Sequence, residues 1–321
     1  MKVVMFNPNV RPDDFDAALA PFPDVSFVRT ADHATLAREL PKAEVLIIGN
    51  RFYPGAASII REHGRALRWI QFFTSGLDGA KAAGFPSGIV VTNMPGRRAF
   101  AVAEHAMALM LGLVRRVRDT EAARTRRFWT RDAIAPSMDN LAGKHLVVVG
   151  LGSIGREVAR KAKAFDMQVT GVSRGAEPVP NVDRVRPRSE LKAACREADV
   201  IVLAAVHDES THKMLSRELI AELKPSAYIV NVARGQLIDE PALIEALRQN
   251  RIAGAGLDVA WSEPLPADHP FWSMPNVLLT PHVGGAGSTA FGQGIGEMFA
   301  ANLARWRAGK PLSNVVIART P

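Results

Sequence analysis

Two doubly wound α/β domains are predicted for this chain, and three observations predict them. Short apolar strands alternate with helix-period segments almost throughout. A glycine fingerprint, Gly150-Leu151-Gly152-Ser153-Ile154-Gly155, begins in mid-chain, so a full α/β unit precedes it and a single barrel does not explain the order. With 321 residues, the chain also exceeds what one core comfortably serves.

In order, Lys2–Asn7, Val25–Arg29, Val45–Gly49, Leu67–Phe73 and Ile89–Asn93 read as strands. Helical segments fall between them near Asp13–Ala20, Ala34–Leu40 and Ala56–His63. A long helix, about Ala99–Arg118, follows with the apolar spacing of a buried face. Thr120–Ala142 is polar and leads to a strand at His145–Gly150, a helix from Ser153 to about Ala164 and a strand at Gln168–Ser173. Further strands are expected at Val200–Ala205, Ala227–Val232, Ala253–Val259 and Val277–Thr280, with helices near Leu191–Ala198 and Glu240–Gln249. One last helix runs from Ser288, its expected cap, to about Ala308.

Composition is ordinary for a globular protein, 47% hydrophobic and 22% charged. The net charge of +8 is spread along the chain with no nucleic-acid motif. Its densest cluster, Arg115 to Arg131 beside Phe128 and Trp129, reads as a solvated helix face. The lone cysteine, Cys195, excludes an intrachain disulfide and a cysteine-based zinc cluster, and no metal site is expected. Ala106–Val114, the longest apolar run, falls far short of the ~20 residues of a membrane span. With no signal peptide read at the N-terminus, a cytoplasmic location is expected.

The fingerprint carries a mechanism. Gly150 permits the tight turn, Gly152 lets the backbone approach a pyrophosphate, and Gly155 allows close helix packing. The N–H groups of Ser153 and Ile154 open the helix, where its dipole favours phosphate. An NAD-type site ends its second strand on an acid that takes the ribose hydroxyl. This chain instead has Ser173-Arg174, suited to a 2′-phosphate, so NADP(H) is expected over NAD(H). A solvated loop arginine is the other reading of Arg174.

Three later segments place chemistry just beyond strands: Arg234 in Asn231-Val232-Ala233-Arg234-Gly235, Glu263 after Asp258-Val259, and His282 in Thr280-Pro281-His282. Strand C-termini are where open α/β sheets bind ligands. Singly, each residue has an ordinary structural reading. Together they supply an acid, its modulator and a cation, as reduction of a 2-oxo acid requires.

Taken in order and spacing, these motifs resemble the D-2-hydroxyacid dehydrogenase family, and within it the glyoxylate/hydroxypyruvate reductase branch. Ser75-Gly76-Leu77-Asp78, Ala103-Glu104-His105 and His269-Pro270-Phe271-Trp272 fit as well, so the resemblance covers essentially the whole chain. It implies two Rossmann-like domains with a cleft between them. Residues 1–95 and 288–321 would form a split substrate domain, and residues 96–287 an inserted dinucleotide-binding domain. A homodimer is implied, built on the long helix.

By the same resemblance, His282 would be the general acid. Glu263 would hydrogen-bond its imidazole and favour the protonated form. Arg234 would hold the substrate carboxylate and polarise the carbonyl, with the backbone amides around Ser75 and Gly76 on the other carboxylate oxygen. Asp258 would position the nicotinamide amide. Val206-His207 depart from the family's frequent Leu-Pro, which puts cofactor contacts there in doubt. A nucleotide-sensing module of the same fold with little turnover is the alternative, and a phosphonate- or phosphite-oxidising relative also fits the spacing.

Overall fold

The computed structural model describes residues 1–7, 13–129, 131–286 and 289–318. They divide into two compact units, Met1–Arg97 with Ser288–Pro321, and Arg98–Gly287.

In the first unit, β1 (Lys2–Phe6), β2 (Ser26–Thr30), β3 (Val45–Ile48), β4 (Trp69–Phe72) and β5 (Val90–Thr92) pair in parallel in the order β5-β4-β3-β1-β2. Alternate residues of each strand point to opposite faces. Val4, Leu46, Ile48 and Ile70 pack with Leu36, Ala56 and Ile60 on one face. Val3, Met5, Val45 and Trp69 pack on the other with Ile295, Phe299 and Leu303 from the C-terminal helix, Thr289–Arg307. Ser288, the expected cap of that helix, lies outside the described residues, as does Gly287.

The second unit holds β6 (His145–Val149), β7 (Gln168–Ser173), β8 (Arg184–Pro187), β9 (Val200–Leu203), β10 (Tyr228–Asn231), β11 (Gly254–Leu257) and β12 (Val277–Leu279). They form one parallel sheet in the order β12-β11-β10-β9-β6-β7-β8. Helices cover both faces, so strands such as Val200-Ile201-Val202-Leu203 are apolar at every position rather than alternating. Val147, Ile201 and Ile229 pack against Leu191, Leu219 and Leu243. Val148, Val202 and Val230 pack against Met107, Met110 and Val158. Cys195 is fully buried in the first of these clusters.

Two strands escape the sequence reading, β8 and β13 (Val315–Ile317). β8 reads Arg-Val-Arg-Pro and has a partner only in β7, and β13 is a three-residue edge strand antiparallel to β5. An edge strand has one neighbour and tolerates charge and proline, so β8 lacks the apolar run that marks a central strand, whereas β13, Val-Val-Ile, is apolar but only three residues long, too short to show a period. The long helix also differs from expectation. It ends at Val114, because Arg116 adopts φ 52°, and helix resumes over Val117–Thr125, past the expected end near Arg118 and into the segment read only as polar. The guanidinium of Arg118 donates to the carbonyls of Met274 and Val277, a contact between distant parts of the chain that no local pattern encodes. Among the described residues, no helix is long and apolar enough to cross a membrane.

Candidate active site

Because all seven strands are parallel, the loops leaving β6, β9, β10, β11 and β12 emerge at one edge of the sheet. The strand order changes direction between β6 and β9, and ligands bind at such a switch point.

The glycine turn occupies that point. Gly150 has φ 99°, and a Cβ there would lie 2.6 Å from the backbone of Ala205 in the loop leaving β9. Only glycine combines that dihedral with that approach. Nothing lies within 4 Å of a Cβ built on Gly152, so this side of the turn is open, whereas one on Gly155 would sit 1.8 Å from the Gly150 carbonyl. The helix's first internal bond is Arg156 N–H to Gly152 O, so the amides of Ser153 and Ile154 precede the ladder and are available to an anion. An open backbone cradle at a helix N-terminus fits a dinucleotide pyrophosphate. At the end of β7, Arg174 is exposed, and the Ser173 hydroxyl donates to Gly175 O at 2.6 Å, shaping the turn.

Arg234, Glu263 and His282 follow β10, β11 and β12, three neighbouring strands. Asn231 shapes the first of these loops: its side chain accepts from Ala233 N–H at 3.1 Å and donates to Arg234 O at 2.8 Å. Gly235 then lets this loop lie on the next, since a Cβ there would fall 2.1 Å from the carbonyl carbon of Ala260. Gln236 donates to Trp261 O at 2.8 Å and fastens the contact.

Glu263 Oε2 lies 2.6 Å from His282 Nδ1, and its Oε1 accepts from Ala260 N–H at 3.2 Å. Burial by itself pushes the Glu263 carboxyl up. The hydrogen bond and charge of His282, the Ala260 amide and the nearby Arg234 charge outweigh it and hold the group below the usual carboxylate range. Both side chains are half-exposed. Glu263 occupies Nδ1, which leaves Nε2 as the nitrogen that can meet a ligand.

His282 has φ 52°, a left-handed backbone that costs a non-glycine residue of order 1–3 kcal/mol and persists only where its surroundings over-determine it. Asp258 supplies much of that determination. His282 N–H donates to the Asp258 carbonyl at 2.7 Å. Asp258 Oδ1 accepts from Thr280 Oγ1 at 2.7 Å and Val283 N–H at 2.9 Å, and Oδ2 accepts from Gly284 N–H at 2.9 Å. At 2% exposure this carboxylate works inside the protein, clamping the His282 loop. That role was not legible in its sequence motif, which pointed only to the cofactor.

Ser75 and Gly76 belong to the other unit, in the loop after β4. There Ser75 Oγ donates to Met94 O at 3.0 Å, Asn93 donates to Ser75 O at 2.7 Å, and Thr74 Oγ1 donates to Gly76 O at 3.2 Å. Within the second unit, Val206 is exposed, and His207 Nε2 lies 3.4 Å from His212 Nδ1. Asn231, Gln236, Thr280 and His105 are contributors to which the sequence reading gave no part. All four sit inside or beside quoted motifs, the available signal, but the partners of Gln236, Thr280 and His105 lie in segments distant in the sequence.

A parallel sheet with a glycine turn at its switch point and a carboxylate–imidazole pair beyond neighbouring strands defines a nucleotide-dependent oxidoreductase. Residues 107–284 match the family model described as D-isomer specific 2-hydroxyacid dehydrogenase, NAD binding domain. The chain belongs to the D-isomer specific 2-hydroxyacid dehydrogenase family. It is 36% identical over 230 residues to a glyoxylate reductase of Thermococcus gammatolerans, covering 70% of this chain and 68% of that one. A crystal structure of a D-isomer specific 2-hydroxyacid dehydrogenase family protein from Aeromonas salmonicida superposes with TM-score 0.86 at 27% identity, covering 98% of each chain. The NADPH-dependent glyoxylate/hydroxypyruvate reductase of Sinorhizobium meliloti, crystallised with NADP and sulfate, superposes with TM-score 0.82 at 25% identity, again over 98% of each.

Proposed function

We propose that this 2-hydroxyacid dehydrogenase is an NADP(H)-preferring reductase of a small 2-oxo acid, glyoxylate or hydroxypyruvate, yielding the D-2-hydroxy acid. The observation that carries the reading is the 2.6 Å contact between Glu263 and His282 Nδ1, which aligns one imidazole face as a proton donor. An intact acid pair of this kind speaks for turnover rather than a sensing module. The glyoxylate reductase relative and the NADP-bound neighbour agree with the substrate class and cofactor proposed.

In this reading the unit Arg98–Gly287 is the dinucleotide domain, and the other unit, with Ser75 and Gly76, supplies backbone N–H groups to the substrate carboxylate. The bound nicotinamide supplies hydride to C2 of the substrate. His282 Nε2 gives its proton to the carbonyl oxygen, and Glu263 steadies the ring as it does so. Arg234 holds the substrate carboxylate and draws charge toward the carbonyl oxygen. Gly150, Gly152, Gly155 and the amides of Ser153 and Ile154 hold the pyrophosphate, and Ser173 and Arg174 take the 2′-phosphate. Asp258 stands near the nicotinamide amide by the resemblance, in addition to its clamping of the loop. A homodimer is the proposed assembly, testable by sedimentation.

The test follows nicotinamide absorbance with NADPH and, separately, NADH against glyoxylate, hydroxypyruvate, pyruvate and a bulky aromatic 2-oxo acid. Oxidation of NADPH by a small acid, faster than of NADH, is expected. Silence across the panel with NADPH still bound would remove the substrate assignment. Ser173→Asp with Arg174→Ala is expected to lower the NADPH/NADH preference about tenfold or more, the loss of one charge-assisted phosphate contact. An unchanged ratio would mean another element selects the cofactor.

A further inference from the structure

We propose that His105 is a positioning residue for the acid His282, acting through Thr280 and Asp258. This inference rests on the reading of His282 as the proton donor. His105 lies on the helix Ala99–Val114, away from the strand-end loops that carry the chemistry, yet its imidazole reaches them.

Hydrogen bookkeeping in the network fixes its direction. The Thr280 hydroxyl has one hydrogen and donates it to Asp258 Oδ1 at 2.7 Å. At 2.8 Å from His105 Nε2, the same oxygen must therefore accept, which puts a proton on Nε2. The same nitrogen lies 3.2 Å from Asp258 Oδ1. Two donors thus converge on Asp258 Oδ1, from Thr280 and Val283, with the His105 nitrogen beside it, while Gly284 N–H binds the other oxygen. The ring also packs on the loop itself. A Cβ on Gly284 would come within 3.1 Å of His105 Cδ2 and 2.7 Å of Asp258 Oδ2.

His105 therefore orients the Thr280 hydroxyl and the Asp258 carboxylate, and that carboxylate holds the two amides that follow His282. Without the imidazole, the hydroxyl loses the donor that sets its rotamer, and the carboxylate can turn away from Val283 and Gly284. The left-handed backbone of His282 then relaxes, and its ring leaves the line set by Glu263. The helix neighbour Glu104, exposed and 3.0 Å from Lys161, has no link to this network and serves as control.

The experiment compares wild type with His105→Leu, His105→Gln, Thr280→Val and Glu104→Gln. Turnover of glyoxylate with NADPH, the KM for NADPH, and hydrogen exchange of the backbone amides of residues 282–284 are measured. His105→Leu is expected to lower kcat about ten- to a hundredfold, the cost of a small misplacement of a reacting group, with KM for NADPH unchanged and exchange faster. His105→Gln, whose side-chain N–H can meet the Thr280 oxygen, is expected to recover much of both, and Glu104→Gln to match wild type. Thr280→Val breaks the same chain without touching the helix and carries the test if His105→Leu does not fold. Unchanged exchange in folded His105→Leu and Thr280→Val overturns the proposal. Faster exchange with full kcat overturns its catalytic half. A wild type that turns over no 2-oxo acid refutes the acid reading instead, and the exchange data still decide whether His105 holds the loop.

Discussion

Each unit buries a polar network among apolar strands, and these two networks do different work. In the first, Trp69 Nε1–H donates to Thr92 Oγ1 at 2.7 Å, and Thr92 donates to Gln71 Oε1 at 2.8 Å. Asn302 on the C-terminal helix reaches Gln71 at 3.3 Å and Ser313 O at 3.1 Å. Gln71, Thr92 and Asn302 are almost wholly buried and neutral. This network closes on itself and fastens the returning helix to the sheet. In the second unit, His105, Thr280 and Asp258 are likewise inward-facing, but the chain of bonds ends on the backbone amides of His282, Val283 and Gly284, the loop that carries the half-exposed His282 imidazole. Similar sheets thus carry different outcomes, because the loops at the strand ends, and the charges on them, decide what a network serves. One network holds a fold, and the other aims a side chain.

Mutations can break that contrast. The largest effect is expected at its exposed end: His282→Gln should lower kcat by about 10²–10⁴-fold, the range for a general acid, while NADPH binding stays intact. Loss of NADPH binding by the variant, with full turnover in the fraction that still binds, would refute the assignment. Gly235→Ala comes next. Its methyl cannot fit against Ala260, so a loss of about 1–3 kcal/mol in urea unfolding is expected, together with a fall in kcat as the Arg234 and Glu263 loops part. Full activity would show that these loops move independently.

In the first unit, Asn302→Ala should cost about 1–3 kcal/mol by leaving buried partners unmatched, with kcat per folded molecule unchanged. A kcat loss there at unaltered stability would erase the distinction between the networks. The smallest effect concerns pH. Since the folded protein holds the Glu263 carboxyl below its ordinary range, the ionised group adds stability at neutral pH, and that share is lost as pH falls through the depressed value. Half-exposure screens it, so a slight flattening of the acid limb of stability in Glu263→Gln is the expected difference. An identical acid limb in variant and wild type would show that the pair adds no stability.

Much of this was legible in the chain itself. Central strands such as Val200–Leu203 announce themselves because burial on both faces demands an unbroken apolar run. The edge strands do not: β8 carries two arginines and a proline, and β13 is apolar but only three residues long. The break after Val114 was hidden for a related reason. Arg116 turns left-handed inside a segment of good helix formers, and Arg118 is drawn to carbonyls more than a hundred and fifty positions away. Among candidate site residues, Arg234, Glu263 and His282 could be picked out because each lies in the loop that leaves a strand. For Asp258 the resemblance implies a cofactor contact, while its hold on the loop was not legible, because a carboxylate beyond a strand gives no sign that Thr280, Val283 and Gly284 will surround it.

The sequence by itself determined the succession of strands and helices, the glycine turn and the kinds of group at the strand ends. Those are local matters of periodicity, of dihedral freedom and of which side chain stands next to a turn. Only the tertiary structure decided that β10, β11 and β12 are neighbours and that their loops therefore meet. It also decided that a histidine on a distant helix closes the network beneath His282. Strand order and helix docking follow from how whole apolar faces fit together, and no window of neighbouring residues contains that information.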